Sequence, residues 1–257
     1  MDYQKKNAGF ITSSKLKAFA ACGFCFEQKY INFIPDPIAD DNDNFVIGQA
    51  FDDLMTLGDD EFRKRYAVVK RRSDTDDGII QLTETMSKVV IQMAEEAMAN
   101  PLFSGTYRKH ILEVQFGGLN LRGELDHWDL EAALKNPEEN PIVDLKTCAN
   151  LFTFFAHNYL FQMAYYQFMI EELYGIRVGA QLEVVDKFPH FARSRVYRIM
   201  PSTLLAERHK ITRALEAYKL ASTTGIFLPS PLPEEREKCP YYAMNGGHGR
   251  RKQVIIL

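Results

Sequence analysis

The sequence predicts an α/β fold in which helices flank a mixed central β-sheet. Three observations point there. Residues 111–116, and the stretch from Leu119 to Leu130, alternate apolar with polar side chains about a Gly117-Gly118 turn, as half-buried hairpin strands do. Apolar residues at helical spacing recur on either side, at Ile47, Phe51 and Leu54 and again through the aromatic-rich segment 151–174. The order hairpin, single strand, apolar helix, strand pair then leaves helices to cover a sheet.

The chain has 257 residues, 46% of them hydrophobic, which is enough for a large core. No repeat or low-complexity linker divides it, so one domain is expected over 1–257, with a core at about 12–228 and a tail at 229–257. There is no long apolar run and no signal-like start, and a cytoplasmic protein without membrane contact is the expectation. A net charge of -3 makes no global case for nucleic acid. Any such contact has to use local patches: Arg63-Lys64-Arg65 with Lys70-Arg71-Arg72, or Arg250-Arg251-Lys252. Each of these reads equally well as a solvated face or tail. Cys22 and Cys25 have C-x-x-C spacing, but the second pair that a zinc site needs is missing, so reduced, partly buried thiols are expected.

Taken in order, Thr12 or Ser13 caps a first helix with Leu16, Phe19 and Ala20 on its apolar face, running through Phe26 to Tyr30. Pro35 to Asn44 is a loop. A second helix begins near Phe45. Its small Gly48 and Ala50 allow close approach to the sheet, and Asp52 lies about 100° round from Phe51, at the border of the buried face. The segment 61–72 is strongly basic, and Asp74 to Gly78 is a surface loop. A third helix spans Leu82 to Met98, with Thr83 or Ser87 near its start and Asn100-Pro101 as its stop. After the hairpin come a loop from Ala132 to Pro141 and a strand from Ile142 to Lys146. Leu151 to Tyr174 reads as the longest helix, apolar all round and therefore buried, with Gln162 and Tyr166 as a polar i, i+4 pair. Strands at Ala180–Phe188 and Arg193–Ile199 turn at Pro189, and a last helix capped by Ser202 runs to about Ser222.

The chemistry concentrates between Leu119 and Thr147. On a strand, Asp144 and Lys146 share one face and Leu145 takes the other. On the preceding strand Arg122, Glu124, Asp126 and Trp128 share a face, so Asp126 reaches the same place if the strands are neighbours. Two carboxylates and an ammonium are costly to bury without a partner, and a divalent cation is the usual one. A metal-dependent phosphodiesterase centre is the resulting expectation.

An aspartate followed at a distance by Asp-x-Lys is the signature of the PD-(D/E)XK nuclease superfamily, and this sequence resembles it. The likeness is to the RecB-like branch that includes lambda exonuclease and the RecE (exonuclease VIII) family. The first-helix pattern is matched by Ser14, Leu16, Cys22, Phe26 and Tyr30, with Gly23 in the usual proline position. Gly-x-Ala-x-His of the second helix becomes Gly48-Gln49-Ala50-Phe51-Asp52. Gly-x-x-Asp is Gly123 to Asp126, Asp-x-Lys is Asp144 to Lys146, and Gln-x-x-x-Tyr is Gln162 to Tyr166. Residues 62–66 and 185–189 look like RecE sequence in particular.

The resemblance implies a restriction-endonuclease-like core. It implies that Asp126, Asp144 and the carbonyl of Leu145 ligate Mg2+ or Mn2+, joined by Asp52 where the family has histidine. It makes Lys146 the residue that orients or activates the attacking water, with Gln162 and Tyr166 supporting the site or touching the scissile strand. The activity implied is a DNA exonuclease acting on duplex ends or a single strand, of phage or prophage origin and working in the host cytoplasm. A homo-oligomeric ring and a single-strand annealing recombinase partner come with the same likeness. Some RecB-like members hold a four-cysteine iron-sulfur cluster; here Cys22 and Cys239 alone fit its positions, and no cluster is expected. Two alternatives stay open: an endonuclease or nickase on the same core, and a DNA-binding or protein-interaction module that has lost catalysis.

Overall fold

The computed structural model describes residues 7, 9–34, 43–72, 78–188, 191–229 and 241. The chain divides into two compact units, one of Met1–Asp40, Gln115–Arg122 and His209–Leu257, the other of Asp41–Val114 and Gly123–Arg208.

In the first unit, helix α1 (Ser13–Ala21) is capped by Thr12, whose hydroxyl accepts from the Lys15 amide at 3.3 Å. The helix breaks at Cys22, which is extended, and resumes as α2 (Gly23–Phe26) before passing into a π-helical turn over Glu27–Ile31. Gly23 is needed at that break, because a Cβ there would stand 2.7 Å from the Leu228 carbonyl oxygen. The rings of Phe19, Phe26, Tyr218 and Phe227 pack around the joint, mostly edge to face. The expectation of two thiols holds for Cys22, which is free and buried, but not for Cys25, which is disulfide-bonded. Cys22 is turned inward to accept from the Cys25 amide, so the two sulfurs of the C-x-x-C pair are not joined to each other.

The second unit starts with α3 (Asp43–Leu57) and α4 (Asp59–Arg65), then parallel strands β1 (Tyr66–Val69) and β2 (Ile80–Thr83), then α5 (Glu84–Ala99), capped by Thr83. Strands β3 (His110–Phe116) and β4 (Leu119–Leu125) form the hairpin, whose turn residues Gln115–Arg122 belong to the first unit. The short helix α6 (Leu130–Lys135) leads to β5 (Ile142–Cys148). Two 3-10 turns (Leu151–Thr153 and Ala156–Tyr159) precede α7 (Leu160–Tyr174), and β6 (Ala180–Asp186), β7 (Ser194–Ile199) and α8 (Pro201–Thr224) follow, α8 belonging to the first unit from His209 on. Strands β5 and β6 are parallel, and β7 is antiparallel to β6, so the three-stranded sheet is mixed. The parallel pair requires a crossover, and α7 supplies it. Every residue of β6 is buried, which makes it the central strand. The core beneath gathers Phe51, Leu82, Val90, Met93, Val143, Leu145 and Val185.

Several expectations are corrected. The loop at 132–141 gives way in part to α6, because Asp129 accepts from the Ala132 amide at 2.9 Å and nucleates a helical turn. For the same reason β4 stops at Leu125 rather than Leu130. The basic segment 61–72 is the end of α4 followed by β1. Its cations are partly answered by acids: Arg63 pairs with Asp59, Lys64 with Glu61, Arg65 with Asp53 and Arg72 with Asp43. The long helix at 151–174 begins only at Leu160; Asn150 accepts from the Phe152 amide to cap a 3-10 turn instead, and Phe154 and Phe155 stay extended. Phe152 and Phe155 are accordingly 77% and 57% exposed rather than buried. The longest helix among the described residues is α8, of 24 residues. Pro201 opens it, so Ser202 lies inside the first turn and is not its cap. The expected loops at 35–42 and 74–77, the Pro189 turn and the 250–252 patch lie outside the described residues.

Candidate active site

The second unit contains a cavity of about 270 Å³ whose wall includes every residue that the sequence singled out for chemistry. Helix α3 contributes Gly48, Phe51 and Asp52, β4 and its extension Glu124 and Asp126, β5 the run Asp144 to Thr147, and α7 Gln162 and Tyr166. Gly48 explains how α3 comes so near, since a Cβ there would lie 2.9 Å from Thr147 Oγ1. Gly123 does the same for α7, since its Cβ would stand 3.0 Å from the Tyr166 ring.

Asp126 reaches the site because the chain beyond β4 pairs with the start of β5. His127 and Val143 exchange backbone hydrogen bonds in an antiparallel bridge, 2.9 Å and 3.3 Å long. Asp126 Oδ2 then accepts from the Leu145 amide at 2.8 Å, which fixes one carboxylate against the backbone of the other strand. Asp144 is 2% exposed and Asp126 8%. Asp144 Oδ2 stands 2.5 Å from the Lys146 ammonium, yet no donor among the described residues aligns with it as a hydrogen bond. Its other oxygen, Oδ1, accepts a long 3.4 Å bond from Gln162, whose amide also donates to the Tyr166 hydroxyl at 2.8 Å.

Electrostatics follow from that crowding. Burial first, and then the Asp144 carboxylate, push Asp126 up to about 7. Burial also raises Asp144, opposed by Lys146. Burial alone would lower the Lys146 ammonium, but Asp144 and Asp126 outweigh it and hold the group charged. Lys146 also sits 5.6 Å from the centre of the Tyr159 ring.

Asp52 is placed differently. Its Oδ2 accepts from Lys109 Nζ at 2.7 Å, and the same ammonium lies 3.3 Å from Glu124 Oε1. Burial works against the Lys109 charge, but Asp52, Asp126 and Glu124 more than restore it, and the net shift is upward. Nothing in the sequence points to Lys109, which precedes β3 and stands 57 residues from Asp52. Glu124 shares its strand face with Asp126, and that alternation is the sequence signal for its place in the wall.

Among the described residues no group of three His, Cys, Asp or Glu stands as a ready cage for a metal. The donor set nonetheless fits a hard divalent cation. Asp126 and Asp144 are buried oxygen donors whose charges oppose each other, and the Lys146 ammonium stands against Asp144 Oδ2. Mg2+ is typically held by one or two carboxylates, with water and substrate phosphate completing the shell, rather than by a full protein cage.

A family profile described as the PDDEXK-like domain of unknown function (DUF3799) matches residues 12–243. The chain belongs to this family. Its fold is also similar to the crystal structure of a candidate exonuclease from Eubacterium rectale, with a TM-score of 0.67 over 91% of this chain and 90% of that one, at 18% identity. That likeness shows a shared fold. A second solved structure, SSO0001, aligns at a TM-score of 0.34 and 12% identity, covering 80% of this chain and 76% of that one. No curated protein sequence matches the chain. The restriction-endonuclease-like α/β core read from the motifs is therefore the fold of this PDDEXK-like protein. No helix among the described residues is long and apolar enough to cross a membrane.

Proposed function

We propose that this PDDEXK-like chain is a metal-dependent deoxyribonuclease of the exonuclease type, hydrolysing phosphodiester bonds at DNA ends. The observation behind this reading is the convergence of Asp126, Asp144 and Lys146 in one wall of the cavity, with the Lys146 ammonium against the buried Asp144 carboxylate. Family membership and the fold shared with the Eubacterium rectale protein support it. A bound Mg2+ or Mn2+ would supply Lewis-acid stabilisation of phosphate charge and a more acidic water.

The chain's own residues divide the remaining work. Asp126 and Asp144, with the Leu145 carbonyl, would hold the cation. Lys146, kept charged by the two acids, orients or activates the attacking water and offsets phosphate charge. Gln162 ties Asp144 to Tyr166, so α7 positions the carboxylate. Asp52 answers to Lys109 in this arrangement and tunes the charge of the wall. The RecE-like exonuclease role in phage or prophage recombination, the ring, the annealing recombinase and the cytoplasmic setting rest on the motif likeness.

The test is digestion of 5′- and 3′-labelled linear duplex beside closed circular plasmid, with and without Mg2+. Loss of label from linear DNA alone, abolished by chelator, is expected. Nicked or linearised plasmid would instead favour the endonuclease, and no cleavage under Mg2+ or Mn2+ would remove the nuclease reading.

A further inference from the structure

A file of aromatic rings leads away from Lys146 along the surface of the second unit. Tyr159 stands beside the Lys146 ammonium and stacks on Phe154 with ring centres 5.3 Å apart and 15° between planes. Phe154 meets Tyr197 of β7 at 5.2 Å, and the exposed Arg195 guanidinium lies 5.9 Å from the Tyr197 ring. All three rings are half-buried, so each keeps some surface open to solvent. Beside them the exposed Phe152 and Phe191 flank the Arg193 guanidinium, which is held in place by the fully buried Asp186.

Folding alone does not account for this arrangement. Large apolar rings gain about 2 kcal/mol or more when buried, yet here aromatic surface stays open where the chain leaves the catalytic strand. Cations interleave with the rings, as in surfaces that track a phosphate backbone while stacking bases. A duplex hides its base faces within its own stack, so unpaired bases are the fitting occupant. Lys146 and Arg193 are answered by Asp144 and Asp186, but an apolar protein partner would not call for the exposed Arg195 guanidinium beside the Tyr197 ring.

We propose that the Tyr159, Phe154 and Tyr197 track binds the unpaired bases of a single-stranded nucleic-acid end, with Arg195 meeting its backbone, as the adjoining phosphodiester enters the cavity. This rests on the nuclease reading for the direction of the strand, but not for the binding itself. The substrate class is then DNA with a single-stranded terminus, such as a frayed or resected end.

The experiment uses the full chain in chelator, with oligodeoxythymidylate carrying 2-aminopurine, against a blunt duplex of equal length. Tighter binding of the single strand with quenching of 2-aminopurine is expected. Phe154→Leu and Tyr197→Leu should each weaken it roughly ten-fold or more and relieve the quenching. The exposed Arg195→Gln, which should leave folding intact, is expected to weaken binding and lower the salt dependence by about one unit of slope. Equal affinity for blunt duplex, or variants that leave binding and quenching unchanged, overturns the proposal. So does a change of oligomeric state in light scattering without a change in DNA binding, which would mark the patch as an interface between copies. Hydrolysis of bis(p-nitrophenyl) phosphate by the wild type with Mn2+ reports the pocket without bases. Its absence would count against the nuclease reading, while single-strand binding still judges the track.

Discussion

Lys109 Nζ stands 2.7 Å from Asp52 Oδ2 and 3.3 Å from Glu124 Oε1, so one ammonium links two acids on different elements of the cavity wall. At the position where the resemblance puts a neutral histidine, this chain has a carboxylate with its own counter-ion. Removing that counter-ion adds one net negative charge beside Asp126 and Asp144. Lys109→Met should therefore tighten Mn2+ binding by roughly ten-fold or more, since a unit charge acts strongly on a divalent ion in a low-dielectric wall. Titration calorimetry on the folded variant measures this. Unchanged or weaker affinity would give Lys109 another role.

Lys146 has the opposite position in the balance. It is the cation in contact with Asp144 Oδ2, and Lys146→Met leaves two buried carboxylates without it. Breaking one side of a buried pair costs about 3 kcal/mol or more, so urea unfolding at neutral pH should show a clear loss of stability. Cleavage should fall below detection with either metal, because the donor facing the phosphate is lost. A variant that is destabilised but still cleaves would separate the structural part of Lys146 from the chemical one.

These two lysines show what the sequence made legible. Lys146 is two residues from Asp144 on one strand, and strand alternation suffices to place both on a face. Lys109 meets Asp52 across 57 residues, and nothing local to either announces the contact. The same division runs through the fold. Thr83 near the start of α5, the strands β3, β5, β6 and β7 and the Gln162–Tyr166 pair are readable, because each depends on neighbours in sequence, whereas β1 and β2 are not, Leu82 and Thr83 passing for the first residues of the helix. Phe152 and Phe155 misled, since their apolar character suits a buried helix, whereas they lie in a 3-10 turn and extended chain and end exposed. Asp129 as the cap of α6 was in plain view, although the strand alternation running to Leu130 hid it.

Gly123 gives a steric prediction. A methyl group there would meet Tyr166 Cδ1 at 3.0 Å, Tyr166 Cε1 at 3.1 Å and Met169 Sδ at 3.2 Å. Tyr166 is 5% exposed and Met169 fully buried, so neither has room to retreat far. Gly123→Ala should cost about 1–3 kcal/mol of stability, read by chemical denaturation. It should also depress cleavage, because the Tyr166 hydroxyl is the fixed end of the Gln162 bridge to Asp144. The double variant Gly123→Ala with Met169→Ala opens space and should recover part of the lost activity.

Two tyrosines predict the behaviour of the protein in alkali. The Tyr107 hydroxyl donates to Glu183, a fully buried acid that also accepts from the Ser104 amide at 2.9 Å, Ser104 Oγ at 2.8 Å and Gln181 Nε2 at 2.7 Å. The Tyr66 hydroxyl donates to Asp53 Oδ2 at 3.0 Å. Burial first, and then the adjacent carboxylate, push both phenols well above their ordinary range. A group raised on folding contributes stability that is complete below its unfolded pKa, near 10 for tyrosine, and is lost as pH climbs toward the folded value. Stability should therefore hold through neutral pH and fall steeply above about pH 10. Absorbance at 295 nm should show part of the 12 tyrosines ionising late, together with unfolding. In Tyr107→Phe that late step should shrink, and the variant should be less stable already at pH 7, because Glu183 loses a donor where water cannot replace it. If tyrosine ionisation finishes before the far-UV circular dichroism changes, the two hydrogen bonds do not hold their phenols protonated and the explanation fails.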